Sequence, residues 1–445
     1  MHNVLILGSG GREHALGWKI AQSPLCKELF FGPGNAGTSE VGRNISLDIL
    51  DFDAVKKVID DQAIDVLLVG PEAPLVAGIV DYLADHKVMV IGPDKAGAEL
   101  EGSKSFANAF MNKHGIPTAK SVDITEKNLE EGYDIIEKQK SKIVLKADGL
   151  AAGKGVLILD DKEEAKRQLK AMVVDKKFGE ASSTVVIEEF LDGIEFSVFV
   201  LTDGKDYQVL PIAKDYKRIG EGDTGLNTGG MGAVSPPPFV SKSLMKKVDE
   251  KIILPTIKGL GESGFNYKGF VFIGLILVDD NPYVIEYNVR MGDPETEVVI
   301  PRLKNDLLQM LVSVHKGTLK DEKIKVKKKT AAAIMLVSGG YPESYHKGKV
   351  IAITEGIEKS ILFHAGTKKD GAKIVTNGGR VIAVTSFGNN HKKAIKKSVK
   401  NIANISFDAM HYRTDIGFDL KVKKKKNKKK KSADNSAIET PSVQA

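Results

Sequence analysis

The sequence predicts an α/β chain with an N-terminal doubly wound parallel sheet, a central region of two α+β lobes, a small C-terminal mixed α/β domain and a disordered Lys-rich tail. Three observations predict this. Short apolar runs alternate with helix-length stretches over the first hundred residues, the pattern of strands joined by crossover helices. From residue 143 onward β-rich runs flank a glycine loop. After residue 420 apolar periodicity stops and lysine takes over. At 445 residues with a 42% hydrophobic share, the chain has the length for two to four domains and the apolar material for several cores.

Val4–Leu7 reads as the opening strand, a helix starts near Arg12, and Leu29–Phe31, Val66–Val69 and Val88–Ile91 read as further strands. These runs end in Gly8, Gly32-Pro33, Gly70-Pro71 and Gly92-Pro93. Their loops therefore fall at the carboxyl ends of parallel strands, where such sheets bind ligands. Ser103 caps a helix over 103–114 that Gly115-Ile116-Pro117 stops. Next come strands at 143–146 and 156–159, a helix near 162–175 and a strand at 184–190. Strands at 196–201, 270–278 and 282–287 follow, with a helix near 242–262 among them. The segment 214–238 reads as a long irregular loop, and such loops are functional or disordered. A lysine-rich connector, Lys323–Lys329, precedes a third unit with strands at 331–337, 361–364 and 380–385.

The formal charge of +7 would suit an anionic partner, so its location matters. Residues 421–445 hold nine lysines against Asp434 and Glu439, which leaves the rest of the chain neutral. Nucleic acid is not expected as a partner of the folded body, and the tail reads as a solvated extension whose partner stays open. No window approaches 18 consecutive apolar residues and no signal sequence precedes Val4, so neither a membrane span nor processing is expected. Cys26, the single cysteine, can form no internal disulfide, which fits a reducing, cytoplasmic setting.

Four stretches carry chemistry. Gly8-Ser9-Gly10-Gly11-Arg12-Glu13-His14 sits between strand and helix, where free N–H groups and the helix dipole attract an anion. Glu13 replaces the third glycine of a dinucleotide fingerprint and no acid follows the second strand, which favours a simple phosphate ester over NAD. Taken alone, the glycines are explained by a tight turn. Lys146-Ala147-Asp148-Gly149 through Gly153-Lys154-Gly155 is too short between glycines for a P-loop. It suits a β-hairpin flap whose N–H groups and lysines close over polyphosphate, against the alternative of a mobile surface hairpin. Glu188-Glu189-Phe190-Leu191 ends a strand in acids and then two apolar residues, a backbone edge for a purine, with Glu195 available to ribose hydroxyls. An ordinary strand and turn explains it equally well. Finally, Glu286, Asn288 and Arg290 alternate along one strand and share a face, setting two hard oxygen ligands beside a guanidinium. The alternative there is a solvated strand face.

The order of flap, Glu-Glu-Phe-Leu hinge and Glu-x-Asn-x-Arg strand resembles the ATP-grasp superfamily. Further motifs resemble its phosphoribosylamine-glycine ligase (glycinamide ribonucleotide synthetase) branch: Gly10-Gly11-Arg12-Glu13-His14-Ala15-Leu16, Pro33–Thr38, Gly70–Leu75, Glu101–Lys104, 146–155, Asn227–Ala233 and Arg290–Thr296. The resemblance covers about residues 1–420 and implies a ligase that joins glycine to 5-phosphoribosylamine through glycyl phosphate at the expense of ATP. It implies a substrate domain over 1–102, an ATP-grasp domain over 103–322 with its flap lobe over about 118–192, a C-terminal domain over 328–420 and the tail over 421–445.

Residue by residue, the resemblance implies that Lys104, Lys146, Gly149, Gly153, Lys154, Gly155, Glu188, Glu189, Phe190, Leu191 and Glu195 bind ATP. Glu286 and Asn288 would hold Mg2+, with Mn2+ as the alternative, and Arg290 and Lys146 would be catalytic. Gly10, Gly11, Arg12, Pro71 and Glu72 would receive the ribose phosphate. Asp215, Lys217, Arg218 and Thr228-Gly229-Gly230 would form the glycine end, and Arg290 would touch substrate too. Many ATP-grasp relatives carry a further metal-binding acid on the preceding strand, where Phe272-Ile273-Gly274-Leu275 offers none, leaving the number of metal ions open. A single activity is expected, the competing readings being another carboxylate-amine ligase or a tail-dependent binding protein.

Overall fold

The computed structural model describes residues 1–151, 155–354 and 356–420. Gly153, Lys154 and the lysine tail lie outside the described residues. Strand β1 (His2–Gly8) buries Val4, Leu5, Ile6 and Leu7 completely, as expected of a parallel strand covered on both faces. It pairs in parallel with β2 (Cys26–Pro33) and, on its other side, with β4 (Val66–Val69). The short β3 (Arg43–Asn44) extends the sheet beside β2, and β5 (Met89–Pro93) extends it beside β4. The helix Gly11–Ile20 follows β1, so its N-terminus opens at the carboxyl edge of this sheet.

Ser103 caps the helix Lys104–Lys113 by accepting from the Phe106 N–H at 3.0 Å, as the sequence predicts. Beyond it, β6 (Ser121–Ile124), β7 (Ile143–Ala147), β8 (Val156–Leu159) and β9 (Val185–Glu189) form an antiparallel sheet in the order β6-β9-β7-β8. The helices Leu129–Lys138 and Lys162–Val173 cover it around Ile136, Leu145, Leu169, Met172 and Ile187. This lobe therefore has a core of its own, and its glycine loop joins β7 to β8.

The chain then crosses back. β10 (Ile194–Thr202) and β11 (Tyr207–Val209) join β16 (Tyr267–Val278), and β16 pairs with β5 at Tyr267↔Pro93 and Lys268↔Gly92. The first sheet and the central one are thus a single nine-stranded sheet, with β17 (Asn281–Asn288) beside β16. The two backbones come close at this crossover, where a Cβ on Gly269 would lie 3.1 Å from the Gly92 nitrogen. The helical stretch near 242–262 is continuous but widens to a π-turn over Asp249–Ile253. Pro255 follows, and a proline without its N–H inside a helix favours such widening.

The segment 214–238 is not an irregular loop. It holds β12 (Lys214–Asp215), the hairpin β13 (Arg218–Gly220) and β14 (Thr224–Asn227), and β15 (Gly232–Ser235). β15 pairs with β12 on one side and, on the other, with β18 (Thr330–Val337), a strand about a hundred residues later. Its sequence reads as loop because its strands are two to four residues long and glycine-rich, and β15 is ordered in part by a strand far along the chain.

β19 (Ala352–Ile353), β20 (Ser360–His364), β21 (Thr367–Asp370), β22 (Lys373–Thr376), β23 (Arg380–Gly388) and β24 (Ile405–Ser406) complete the C-terminal region. Its main sheet runs β12-β15-β18-β23-β20, packed under the helix His391–Ile402. Arg413, fully buried, fastens the β13–β14 hairpin by pairing with Asp223 (2.6 Å) and Asp415 (2.8 Å) and donating to the Arg218 carbonyl (3.0 Å). Among the described residues no helix is long and apolar enough to cross a membrane.

Candidate active site

Along β17 and just beyond it, Val284, Tyr287 and Val289 are buried while Glu286, Asn288 and Arg290 are partly exposed. The alternation predicted from the sequence is present, and a bulge opposite Gly274-Leu275 adjusts it. Gly274 faces Glu286, and a Cβ there would lie 2.8 Å from the Glu286 Cγ, so glycine leaves room for the carboxylate's stem. Behind this face the Tyr287 hydroxyl bonds Thr256 at 2.7 Å, which fixes the strand's rotation.

The flap lobe faces it. Lys146 on β7 donates to the Ile285 carbonyl (3.1 Å) and pairs with Glu188 on β9 (2.6 Å), both side chains nearly buried. Glu188 also accepts from the Asn108 amide at 3.4 Å. Its carboxylate is thus committed to Lys146, while Glu189 is exposed at the strand end and Phe190 lies under the Lys142 ammonium. Lys104 donates to the carbonyls of Asp148 (3.3 Å) and Gly149 (3.4 Å) at the root of the glycine loop. Asp148 in turn accepts from Ser103 and from the Ser105 N–H, tying the flap to a helix N-terminus. Burial lowers the proton affinity of Lys104, and Lys146 adds to that, whereas Glu286 opposes it. Gly155 packs against Ala147 and Ala151.

Lys217 bridges Glu195 (3.0 Å) and Asp215 (3.3 Å). Burial disfavours its charge, but Asp215, Glu195, Glu286 and Glu295 outweigh burial and hold the ammonium well above the usual lysine range. Lys217 in return holds the Glu195 carboxyl below its usual value. Arg218 faces the other way and donates to Gly225 within its own hairpin. Thr228 is fixed by two bonds to the Lys217 carbonyl, and the Gly229 N–H donates to Tyr341. Gly230 has φ +121°, and a Cβ on it would lie 2.4 Å from Pro294.

At the first turn, the sequence expectation of an open anion nest is not what the structure presents. The Gly10 N–H donates to Glu13 Oε2 (2.6 Å) and the Arg12 N–H to Asp293 Oδ2 (3.3 Å). The Arg12 guanidinium pairs with Glu13 (2.5 Å) and donates to the Met291 carbonyl (3.2 Å). Two of the chain's own carboxylates already occupy the helix end. Arg290 pairs with Glu72 (3.2 Å) and Glu101 (2.5 Å), so strand β17 and the loop after β4 meet directly.

Sequence reasoning missed several residues here. Arg380 on β23 pairs with Asp293 (3.0 Å) and donates to the Gly229 carbonyl (2.6 Å), bringing the C-terminal region to the site. Nothing in its neighbourhood of sequence marks it. Asp293, Glu295 and Glu297 recur at every second position after Arg290, a signal that was available. Burial pushes the Glu295 carboxyl up to about 8, with Asp215 adding to it, and drives Glu297 well above its usual range. Burial likewise lifts Glu101 to about 7 although Arg290 opposes it. Both Glu297 oxygens are buried and lack a hydrogen-bond partner among the described residues.

Glu286 and Asn288 offer hard oxygen donors suited to a magnesium-sized ion. Among the described residues no group of three or more His, Cys, Asp or Glu is arranged to hold a metal by itself. An ion there would take the rest of its shell from phosphate oxygens and water, which is how magnesium binds beside nucleotides.

Three family models match successive parts of the chain: the N domain of phosphoribosylglycinamide synthetase over residues 2–101, its ATP-grasp (A) domain over 102–296 and its C domain over 331–419. A bifunctional purine biosynthetic protein of Pichia angusta is 44% identical over 432 residues, 96% of this chain and 54% of that protein's length. The phosphoribosylamine–glycine ligase of Vibrio vulnificus is 43% identical over 421 residues, covering 94% of this chain and 98% of the relative. The crystal structure of phosphoribosylamine–glycine ligase from Thermotoga maritima superposes with a TM-score of 0.82 at 37% identity, covering 93% of this chain and 99% of that one. The biotin carboxylase domain of Hydrogenobacter thermophilus 2-oxoglutarate carboxylase, solved with MgADP and bicarbonate, shares the fold at TM-score 0.69 and 14% identity, over 93% of this chain and 92% of that one.

Proposed function

Because the chain belongs to the phosphoribosylglycinamide synthetase family, we propose how its cleft carries out that family's chemistry. The chain is an ATP-dependent ligase that joins glycine to 5-phosphoribosylamine in purine biosynthesis, giving glycinamide ribonucleotide, ADP and phosphate. A carboxylate does not react with an amine unaided, so the γ-phosphoryl group passes first to the glycine carboxylate. The amine of phosphoribosylamine then attacks the acyl carbon of glycyl phosphate, the C–O bond to phosphate breaks, and the amine sheds a proton. Positioning and charge neutralisation carry most of such catalysis.

In our reading Lys104 and Lys146 neutralise the ATP phosphates beneath the glycine loop, with Gly149 and Gly155 at its ends. The backbone at Phe190 and Leu191 takes the adenine edge. Glu188 acts by holding Lys146, to which it is paired. Glu195 takes the ribose once Lys217 is drawn away to substrate. Glu286 and Asn288 would hold Mg2+, or Mn2+ with the same donors; when bound, the ion would supply charge neutralisation for the transferring phosphoryl group. Arg290 stabilises the transferring phosphoryl group. Asp215, Lys217 and Thr228–Gly230 form the glycine end, an acid for its ammonium and a cation for its carboxylate. Arg218, bound into its hairpin, is left out. Gly10–Arg12, Pro71 and Glu72 wall the ribosyl end beside Arg290.

The observation that carries this reading is that Lys146 of the flap lobe donates to the Ile285 carbonyl on β17, while Lys104, at the root of the glycine loop, feels the charge of Glu286 on the same strand. The test is ADP release with freshly generated phosphoribosylamine. Release should require glycine, and neither bicarbonate nor formate should replace it; turnover without glycine contradicts the reading.

A further inference from the structure

Strand period divides residues 214–217 between two faces. Asp215 and Lys217 share the face toward the cleft, where they pair at 3.3 Å and Lys217 also reaches Glu195 at 3.0 Å. Lys214 and Tyr216 share the opposite face, with the Lys214 ammonium 4.4 Å from the centre of the Tyr216 ring and that ring in the core of the C-terminal region.

This rear face converges on one carboxylate. The Tyr216 hydroxyl donates to Asp419 Oδ1 at 2.7 Å, and the Lys214 ammonium pairs with Asp419 Oδ2 at 3.4 Å. Both Lys214 and Tyr216 are buried, so their polar ends need partners within the protein. Lys214 also donates to the Asp215 carbonyl at 3.4 Å, which carries the contact into the backbone of the cleft residue. Along its edge the segment is already fixed, the Tyr216 N–H bonding the Gly232 carbonyl and its carbonyl the Met231 N–H. Its rotation is left to the side chains behind it. The stretch that supplies Asp419 grips the next hairpin as well, since the Gly222 N–H donates to Asp415 at 2.7 Å.

We propose that Asp419, acting through Tyr216 and Lys214, is a positioning residue for the glycine substrate: it sets the rotation of the 214–217 strand and so the placement of the Asp215 carboxylate and the Lys217 ammonium. The proposal rests on the reading above that these two residues form the glycine end. Glycine presents an ammonium and a carboxylate a few bonds apart, so a rotated strand misplaces both of its partners at once. ATP is held from Lys104 and Lys146 in that same reading, and its binding is insensitive to the rotation.

Initial rates of the full chain are compared with those of Asp419→Ala, Asp419→Asn and Tyr216→Phe. Asp419→Ala should raise the KM for glycine about tenfold or more, the loss expected of a hydrogen bond to a charged group, while the KM for ATP, which also reports the fold, moves less than about twofold. Asp419→Asn keeps an acceptor for the Tyr216 hydroxyl and should recover most of that loss. Tyr216→Phe keeps the ring, removes only the hydroxyl and should raise the KM for glycine in the same direction; joined to Asp419→Ala it should add less than its separate effect, because the two act through one bond. An unchanged KM for glycine in either Asp419→Ala or Tyr216→Phe overturns the proposal. An equal rise in the KM for ATP overturns it too, since that marks a general loosening of the fold. Lys217→Ala distinguishes these results from failure of the underlying reading: a raised KM for glycine there leaves the glycine end standing whatever Asp419 does, and an unchanged one overturns the glycine end itself.

Discussion

At Glu286 the alternation of β17 turns one carboxylate toward Lys104 and Lys217 while Tyr287, pinned by Thr256, holds the strand from behind. Glu286→Ala should therefore cut magnesium-dependent turnover about 10²- to 10³-fold, the loss typical of removing one transition-state contact, with the thermal midpoint nearly unchanged. Normal ADP release from that variant contradicts the metal role. Glu295 makes a different prediction. Its carboxyl is lifted to about 8 in the folded protein by burial, above the unfolded value of about 4.5, so the folded state keeps a proton that the unfolded state has lost. Stability from this group is full at low pH and falls as pH rises from about 4.5 through about 8. Glu295→Gln should flatten that fall, read as thermal midpoints across the interval; an unaltered slope contradicts it. The shared face of Glu286 and Asn288 was legible in the sequence because strand period alone places them there. Arg380 was not, because its partners Asp293 and Gly229 lie far away along the chain and only tertiary folding brings them within reach.

Among the elements, the parallel strands and the flap lobe were readable because each carries its own apolar run. The segment 214–238 was not, since β15 finds its partner in β18. That segment reaches the site through Gly230, whose φ of +121° and contact with Pro294 admit no side chain. Gly230→Ala should destabilise the protein by about 1–3 kcal/mol, as strained backbone and forced contacts do, and should raise the KM for glycine. Urea unfolding and glycine titration check the two effects, and a variant neutral in both shows that the loop is not held against the 292–295 turn as described.

Across the whole molecule, three sheets deliver residues to one cleft: the parallel sheet brings Arg12 and Glu72, the flap sheet brings Lys146, and the C-terminal sheet brings Arg380. The order of regions was legible from composition and resemblance. The sharing of β12 and β15 with the C-terminal sheet was not, because strands that swap company leave no local pattern. The neutral body and basic tail separate chemistry from charge, so deletion of residues 421–445 should leave the rate of ADP formation within about twofold. A large loss of turnover would place the tail in the catalytic machinery.

The proposed reaction requires a nucleotide and its divalent ion to lie between the flap lobe and β17. A crystal structure with magnesium and a non-hydrolysable ATP analogue tests it most directly. The ion is expected within about 2.0–2.3 Å of Glu286 and Asn288 oxygens, with the phosphates beside Lys104 and Lys146. A nucleotide bound elsewhere, or those two side chains turned away from the ion, contradicts it.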